Sequence, residues 1–150
     1  MLDRWYDELE VGQTQAFGGV TVTEAHIVNF ASLSGDWNAL HMDEEFAAAG
    51  PFGRRIAHGL LTVVLMNGRV PMAPGRVAAF MGIDKLRFAE PVYIGDTIHL
   101  EMAVEAKHDR GPGGIVTFSQ VVKKHTGATA ARSTMKVVMV RSPAATGSVP

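Results

Sequence analysis

The chain of 150 residues contains no cysteine. That absence excludes a disulfide framework, a thiolate-held metal and a cysteine nucleophile, and it fits a reducing cytosol. Charge of one sign is missing too. Fourteen Lys and Arg stand against fifteen Asp and Glu, a formal net charge of −1. No basic field is present to hold nucleic acid, and no block of like charges marks a membrane-surface patch. Long apolar runs are absent: the longest, Gly59–Asn67, falls far short of the roughly 20 residues that span a bilayer. The opening residues, Met1 to Glu8, are acidic and lack the apolar centre of a signal peptide. A cytoplasmic protein with neither nucleic-acid nor membrane partners is the expectation. No Gly-x-Gly-x-x-Gly, no Gly-Lys-Ser/Thr phosphate loop and no Gly-x-Ser-x-Gly elbow occurs.

What is present suffices for one core. Apolar residues make up 47% of the chain, and a domain of this length buries roughly 68–70% of its unfolded surface. A single domain over residues 1–141 is expected, with the Ser/Pro/Ala/Gly text of 142–150 as a flexible tail. The second half is strand-like. From Thr97 to Ala106, the residues Ile98, Leu100, Met102, Val104 and Ala106 alternate with Thr97, His99, Glu101 and Glu105, the period of a strand with one dry face. Gly111-Pro112-Gly113-Gly114 is a hairpin turn signal between that run and Ile115–Lys123. Thr129–Val140 makes a further strand and Val77–Phe88 an earlier one. Short connections suggest a four-stranded antiparallel meander, with Val11–Val22 supplying the first strand of the sheet.

The first half reads differently. Thr21-x-x-Glu24 has capping-box spacing, Ile27, Phe30 and Ala31 recur at helical intervals, and Gly35 stands where a helix ends. Asp43 is placed to cap a short helix through Phe46-Ala47-Ala48-Ala49. Ile56–Asn67 is apolar with almost no polar face, which predicts one long buried helix. The fold class is therefore α+β, a curled antiparallel β-sheet wrapped around one long central helix.

Two segments carry possible chemistry. Asp36 and His41, in Ser34-Gly35-Asp36-Trp37-Asn38-Ala39-Leu40-His41, are five residues apart. On a straight helix they would lie about 140° apart, so they converge only if the chain turns between them. Gly35-Asp36-Trp37-Asn38 is turn chemistry. A carboxylate and an imidazole brought together there can hold one water and move protons both ways. The plainer reading gives Asp36 and Asn38 only turn and cap hydrogen bonds and leaves His41 on the surface. The second segment, Arg54-Arg55-Ile56-Ala57-His58-Gly59, precedes the apolar helix. A helix start offers unpaired N–H groups, and Gly59 lets a ligand carbonyl approach that backbone. His58 reads either as a ligand contact or as a structural histidine. His26, His41 and His58 have no recognised metal spacing, so no metal is expected.

Ser34–His41 resembles the hydratase motif of the MaoC-like, (R)-specific enoyl-CoA hydratase family, whose pattern is Gly-Asp-x-Asn-Pro-aliphatic-His. Ile56-Ala57-His58-Gly59-Leu60-Leu61 resembles the start of that family's central helix. Arg87-Phe88-Ala89-Glu90-Pro91-Val92-Tyr93-Ile94-Gly95-Asp96-Thr97 resembles its Phe-x-x-Pro-Val-x-x-Gly-Asp connection. The similarity covers roughly residues 10–140 and departs from the pattern at Ala39, where the family has proline. It implies the hotdog fold and a hydro-lyase that adds water across the 2,3 double bond of a 2-enoyl thioester. Asp36 and His41 would be its catalytic dyad, Asn38 a residue orienting the turn or the dyad, the Gly59 N–H the donor to the thioester carbonyl, and Asn67 a polar residue lining the pocket; His58, beside Gly59 in sequence, is expected as a supporting or substrate-binding residue. It also implies a homodimer, and no cofactor beyond coenzyme A or an acyl-carrier protein as the handle of the substrate.

A hotdog thioesterase is the rival reading. Such enzymes usually place Asp or Glu on or near the central helix, and Ile56–Asn67 carries neither. A non-catalytic acyl-thioester binding protein is the rival of another class, and the intact Asp36 and His41 argue against it.

Overall fold

The computed structural model describes residues 1–143, so the tail expected over 142–150 lies almost wholly outside the described residues. Five antiparallel strands form one sheet: β1 (Thr14–Thr21), β2 (Val77–Phe88), β3 (Thr97–Arg110), β4 (Gly113–Lys124) and β5 (Thr129–Val140). Their order across the sheet is β1-β3-β4-β5-β2. The helices are α1 (Glu24–Ser34), α2 (Ala39–Met42), α3 (Glu44–Ala48) and α4 (Gly59–Asn67), and a 3-10 turn at Tyr6–Glu8 precedes β1.

The period-two pattern places the core. Ile98, Leu100, Met102 and Val104 of β3 are buried, as are Val116, Phe118 and Val122 of β4 and Met135, Val137 and Met139 of β5. With Leu61 and Met66 of α4 they form one apolar cluster, which also takes in Phe17 of β1 and Ile27 of α1. Truncating a residue such as Phe118 in such a layer typically costs about 3–5 kcal/mol. The turn after β3 is Gly111-Pro112, as the glycine-rich signal indicates.

Three expectations are corrected. The meander holds only for β3-β4-β5; β2 pairs with the far side of β5, not with β3. The connection from Ala89 to Asp96 explains why. Its Ala89 N–H donates to Ala130 O at 2.9 Å, and its Gly95 N–H donates to Val22 O at 2.8 Å. The segment thus runs from the β5 side to the β1 side across the end of the sheet. The capping box also shifts by two residues: Thr21 stays in β1, the cap is Thr23, and the Thr23 N–H donates to His26 Nδ1 at 3.0 Å. Finally, the helix begins at Gly59, not Ile56, because Ile56 bridges to Tyr93 and the Ala57 N–H donates to Val92 O at 2.7 Å. It is also not apolar because it is wholly buried: Leu60 and Val64 are each 58% exposed.

The Ala89–Asp96 connection is anchored by an ion pair, Lys124 Nζ to Asp96 Oδ2 at 2.7 Å, with both side chains nearly buried. Asp96 Oδ2 also accepts from the Tyr93 N–H at 2.9 Å, and Lys124 donates to Pro91 O at 3.1 Å. Burial raises the Asp96 carboxyl, but the Lys124 and Tyr93 hydrogen bonds and the Lys124 and Arg54 charges outweigh it, so its pKa falls below the ordinary value. A carboxyl depressed in the folded state stabilises above the unfolded value, about 3.9, and that contribution disappears as pH falls through the folded value. Asp96→Asn leaves Lys124 without its counter-charge and should cost about 3 kcal/mol at neutral pH. Thermal melts from pH 7 to 3 check this: the difference between the two proteins should shrink below pH 4, and a constant difference would refute the assignment.

Candidate active site

The chain turns between Asp36 and His41 as their convergence requires. Gly35 ends α1 in the left-handed conformation, φ 78°, which glycine adopts without a Cβ penalty. The Ser34 hydroxyl accepts from the Asp36 N–H at 3.2 Å and donates to Phe30 O at 2.7 Å. Asn38 then caps α2, its Oδ1 accepting from the Leu40 N–H at 2.9 Å, while Asp36 Oδ1 accepts from the Asn38 N–H at 3.3 Å. Asn38 thus shapes the turn, as either reading of it allowed. Ala39 occupies the first position of α2, where proline is favoured because an N–H there has no partner within the helix to lose.

His41 Nδ1 lies 2.8 Å from Ile56 O. A carbonyl only accepts, so Nδ1 carries the proton and Nε2 presents a lone pair. His58 Nε2 lies 2.9 Å from Asp36 O, which fixes the opposite tautomer by the same logic. The two rings stack at 3.9 Å between centroids and 34° between planes, and Phe30 packs on His58 at 5.0 Å. One ligand atom each from Asp36, His41 and His58 lies within 4.8 Å of the other two. Such a trio invites comparison with a metal site. One nitrogen of each ring donates to a carbonyl, an arrangement common to metal-ligating and to acid–base histidines. The same trio can hold a water between the Asp36 carboxylate and the His41 imidazole.

Asp36 opens on a cleft of about 410 Å³, walled also by Phe30, Ser34, His58, Gly59, Leu60 and Phe88. His41 is half-buried and stands outside that wall, reached through His58. The Gly59 N–H opens α4, has no acceptor among the described residues, and receives no cap from the His58 side chain. The Phe88 ring covers Gly59 closely: a Cβ built there would meet Phe88 Cζ at 2.6 Å. The Asp36 carboxylate, the free N–H and the apolar wall thus share the cleft, and His41 adjoins it behind His58. A second hollow, about 460 Å³ over β1, β3 and β4, contains Glu101 as its one charged lining residue and no acid–base pair.

Asn67 departs from this group. At the far end of α4 it donates to Val63 O at 2.9 Å and accepts from Gln120 Nε2 at 2.8 Å; Gln120 Oε1 in turn accepts from Ser133 at 3.1 Å. It does not line the cleft with Asp36. Sequence reasoning also missed Phe88 and Ser34 as cleft residues. Both stand inside the motifs quoted above, but nothing in the sequence puts Phe88 over Gly59, because the pairing of β2 with β5 brings it there.

The described residues include no helix long and apolar enough to cross a membrane. Comparison with known proteins places the site in context. The chain is 40% identical over 105 residues to Protein MaoC of Klebsiella aerogenes, a stretch covering 69% of this chain but only 31% of that protein. It is 37% identical over 114 residues to the (R)-specific enoyl-CoA hydratase of Aeromonas caviae, covering 73% of this chain and 81% of the relative. Among solved structures, a monoamine oxidase regulatory protein from Archaeoglobus fulgius superimposes with a TM-score of 0.88 at 32% identity, over 94% of this chain and 97% of the other. The MaoC like domain family matches residues 8–134, and with the hydratase motif, the fold and the relatives in agreement, the chain belongs to that family.

Proposed function

We propose that the protein is a hydro-lyase that adds water reversibly to the 2,3 double bond of a 2-enoyl thioester, giving the (R)-3-hydroxyacyl thioester. One observation carries the reading: the Asp36 carboxylate and the His41 imidazole lie within reach of a shared water, beside an uncapped helix N–H in a cleft with apolar walls. The named activity of the Aeromonas relative supports it. Water held by Asp36 and His41 Nε2 attacks C3. The π electrons shift to C2 and charge builds on the thioester oxygen, which accepts from the Gly59 N–H. The dyad then returns one proton of the water to C2. Asp36 and His41 act as a coupled pair. The reaction uses no metal or redox cofactor; coenzyme A or an acyl-carrier protein is only the handle. A CoA-thioester substrate and a chain without cysteine fit a cytoplasmic enzyme.

The test is purified protein with crotonyl-CoA, followed by enoyl absorbance and by free thiol. Loss of the conjugated band with no thiol released supports the reading. Thiol release would identify a thioesterase, and no change in either signal would count against turnover of this substrate.

Assembly follows from the surface. Leu60 and Val64 on α4, and Phe80, Met81 and Phe88 on the edge strand β2, are apolar and at least half exposed. Open strand edges invite pairing, and apolar stripes of this kind mark interfaces. The expected species is a homodimer at twice the chain mass of 16.1 kDa, measured by light scattering. A fully active monomer at micromolar concentration would contradict it.

A further inference from the structure

His58 precedes the first residue of α4, the position where Ser, Asn or Asp ordinarily caps a helix. It does not cap. Its ring turns away to the Asp36 carbonyl at 2.9 Å, and its side chain makes no hydrogen bond to the helix. It is 2% exposed, and its Nδ1 has no partner among the described residues. A buried ring atom left unpaired is costly, so an ordinary structural role does not account for histidine here.

We propose that His58 is the positioning residue that joins the two halves of the site. The inference rests on the hydratase reading. Three contacts are made by one side chain. The Nε2–H holds the peptide of Asp36, 22 residues away in sequence, against the start of α4. The ring face supports the ring of His41. The Phe30 ring packs on the His58 ring at 5.0 Å between centroids. A shorter oxygen-bearing side chain would accept from the second or third N–H of α4 and stabilise the helix, but it would hold neither the Asp36 peptide nor the His41 ring. Stability and turnover at position 58 are therefore uncoupled, which a merely structural histidine does not produce.

The experiment compares His58→Phe, His58→Gln, His58→Ala and His58→Ser for kcat, KM and melting temperature with crotonyl-CoA. His58→Phe keeps an aromatic ring for stacking but loses the hydrogen bond; it should lose kcat by about 10- to 100-fold, the usual scale of misplaced catalytic groups, with KM within about threefold. His58→Gln retains a donor for the Asp36 carbonyl and should recover part of that loss. His58→Ser can cap α4 and should melt higher than His58→Ala, yet turn over no faster. Wild-type kcat in His58→Phe, or kcat that simply follows melting temperature across the four variants, would overturn the proposal. A second readout needs no turnover. Ring ¹⁵N spectra at pH 7 should show His58 as the Nε2–H tautomer and His41 as Nδ1–H, with the His41 signals broadened or mixed in His58→Ala. Unchanged His41 signals in that variant would overturn the positioning role. The expected tautomers in a wild-type protein that releases free thiol from crotonyl-CoA without hydrating it would instead refute the hydratase reading and leave only the contacts of His58 with Asp36 and His41 standing.

Discussion

Asp36→Asn and His41→Ala should each lower kcat by at least ~10²-fold while leaving the protein folded. The size follows from what acid–base groups usually contribute, 10²–10⁴-fold. The folding claim follows from exposure and bonding. Asp36 is exposed, and its side chain accepts one long hydrogen bond, from the Asn38 N–H at 3.3 Å, which the amide of asparagine can also accept. His41 has more to lose. Its Nδ1–H bond to Ile56 O and its stacking on His58 disappear in alanine, so a modest drop in melting temperature accompanies the loss of turnover. Because the two groups work on one water, the double variant should be little slower than the worse single variant. Equal losses in kcat and kcat/KM would mark groups that act in the transition state. A folded variant of either residue with near wild-type turnover would remove that residue from the mechanism.

Gly59→Val should cut kcat by about 10²–10³-fold, and Gly59→Ala by less, through loss of a carbonyl donor of the oxyanion-hole kind. The structure gives this substitution an additional feature. A Cβ at position 59 would meet the Phe88 ring at 2.6 Å for Cζ and below 3.0 Å for both Cε atoms. Those atoms are the far end of a half-exposed side chain, so the ring swings aside and the fold persists. Gly59 also lies outside the left-handed region, so alanine is not strained there and reduces the freedom of the unfolded chain. Stability should change little while turnover falls. The displaced ring and the new methyl group both border the cleft, and Gly59→Ala combined with Phe88→Ala separates them. If the methyl group itself blocks the carbonyl from the N–H, removing the ring restores nothing. Full recovery would assign the loss to Phe88. A fully active Gly59→Ala would place the carbonyl donor elsewhere even with the dyad intact.

The features legible in the sequence were those with a local cause. Alternation from Ile98 to Val104 fixes which strand face is buried, and the glycine turn at Gly111-Pro112 joins β3 to β4. Gly35 and Asn38 announce a turn that brings Asp36 and His41 together. What could not be read depends on contacts between distant segments. The side of β5 on which β2 settles is decided by the path of Ala89–Asp96 and its Lys124–Asp96 anchor, not by any period in β2. The Gly59–Phe88 contact follows from that pairing. The apolar face of α4 was read as burial in the core, but a helix of nine residues with Leu60 and Val64 outward shows two apolar sides with different fates. Asn67 matched a position where a polar pocket residue is expected, but Gln120, 53 residues later, holds it.

The most direct test of the account is the fate of water oxygen. Protein and crotonyl-CoA are incubated in H₂¹⁸O and the products are separated and weighed by mass spectrometry. The account predicts one ¹⁸O at C3 of an intact (R)-3-hydroxybutyryl-CoA, with formation slowed at least ~10²-fold by Asp36→Asn, as expected for loss of an acid–base group. Appearance of ¹⁸O in a free carboxylate with release of coenzyme A, or of the (S) product at a rate Asp36→Asn does not change, would contradict it.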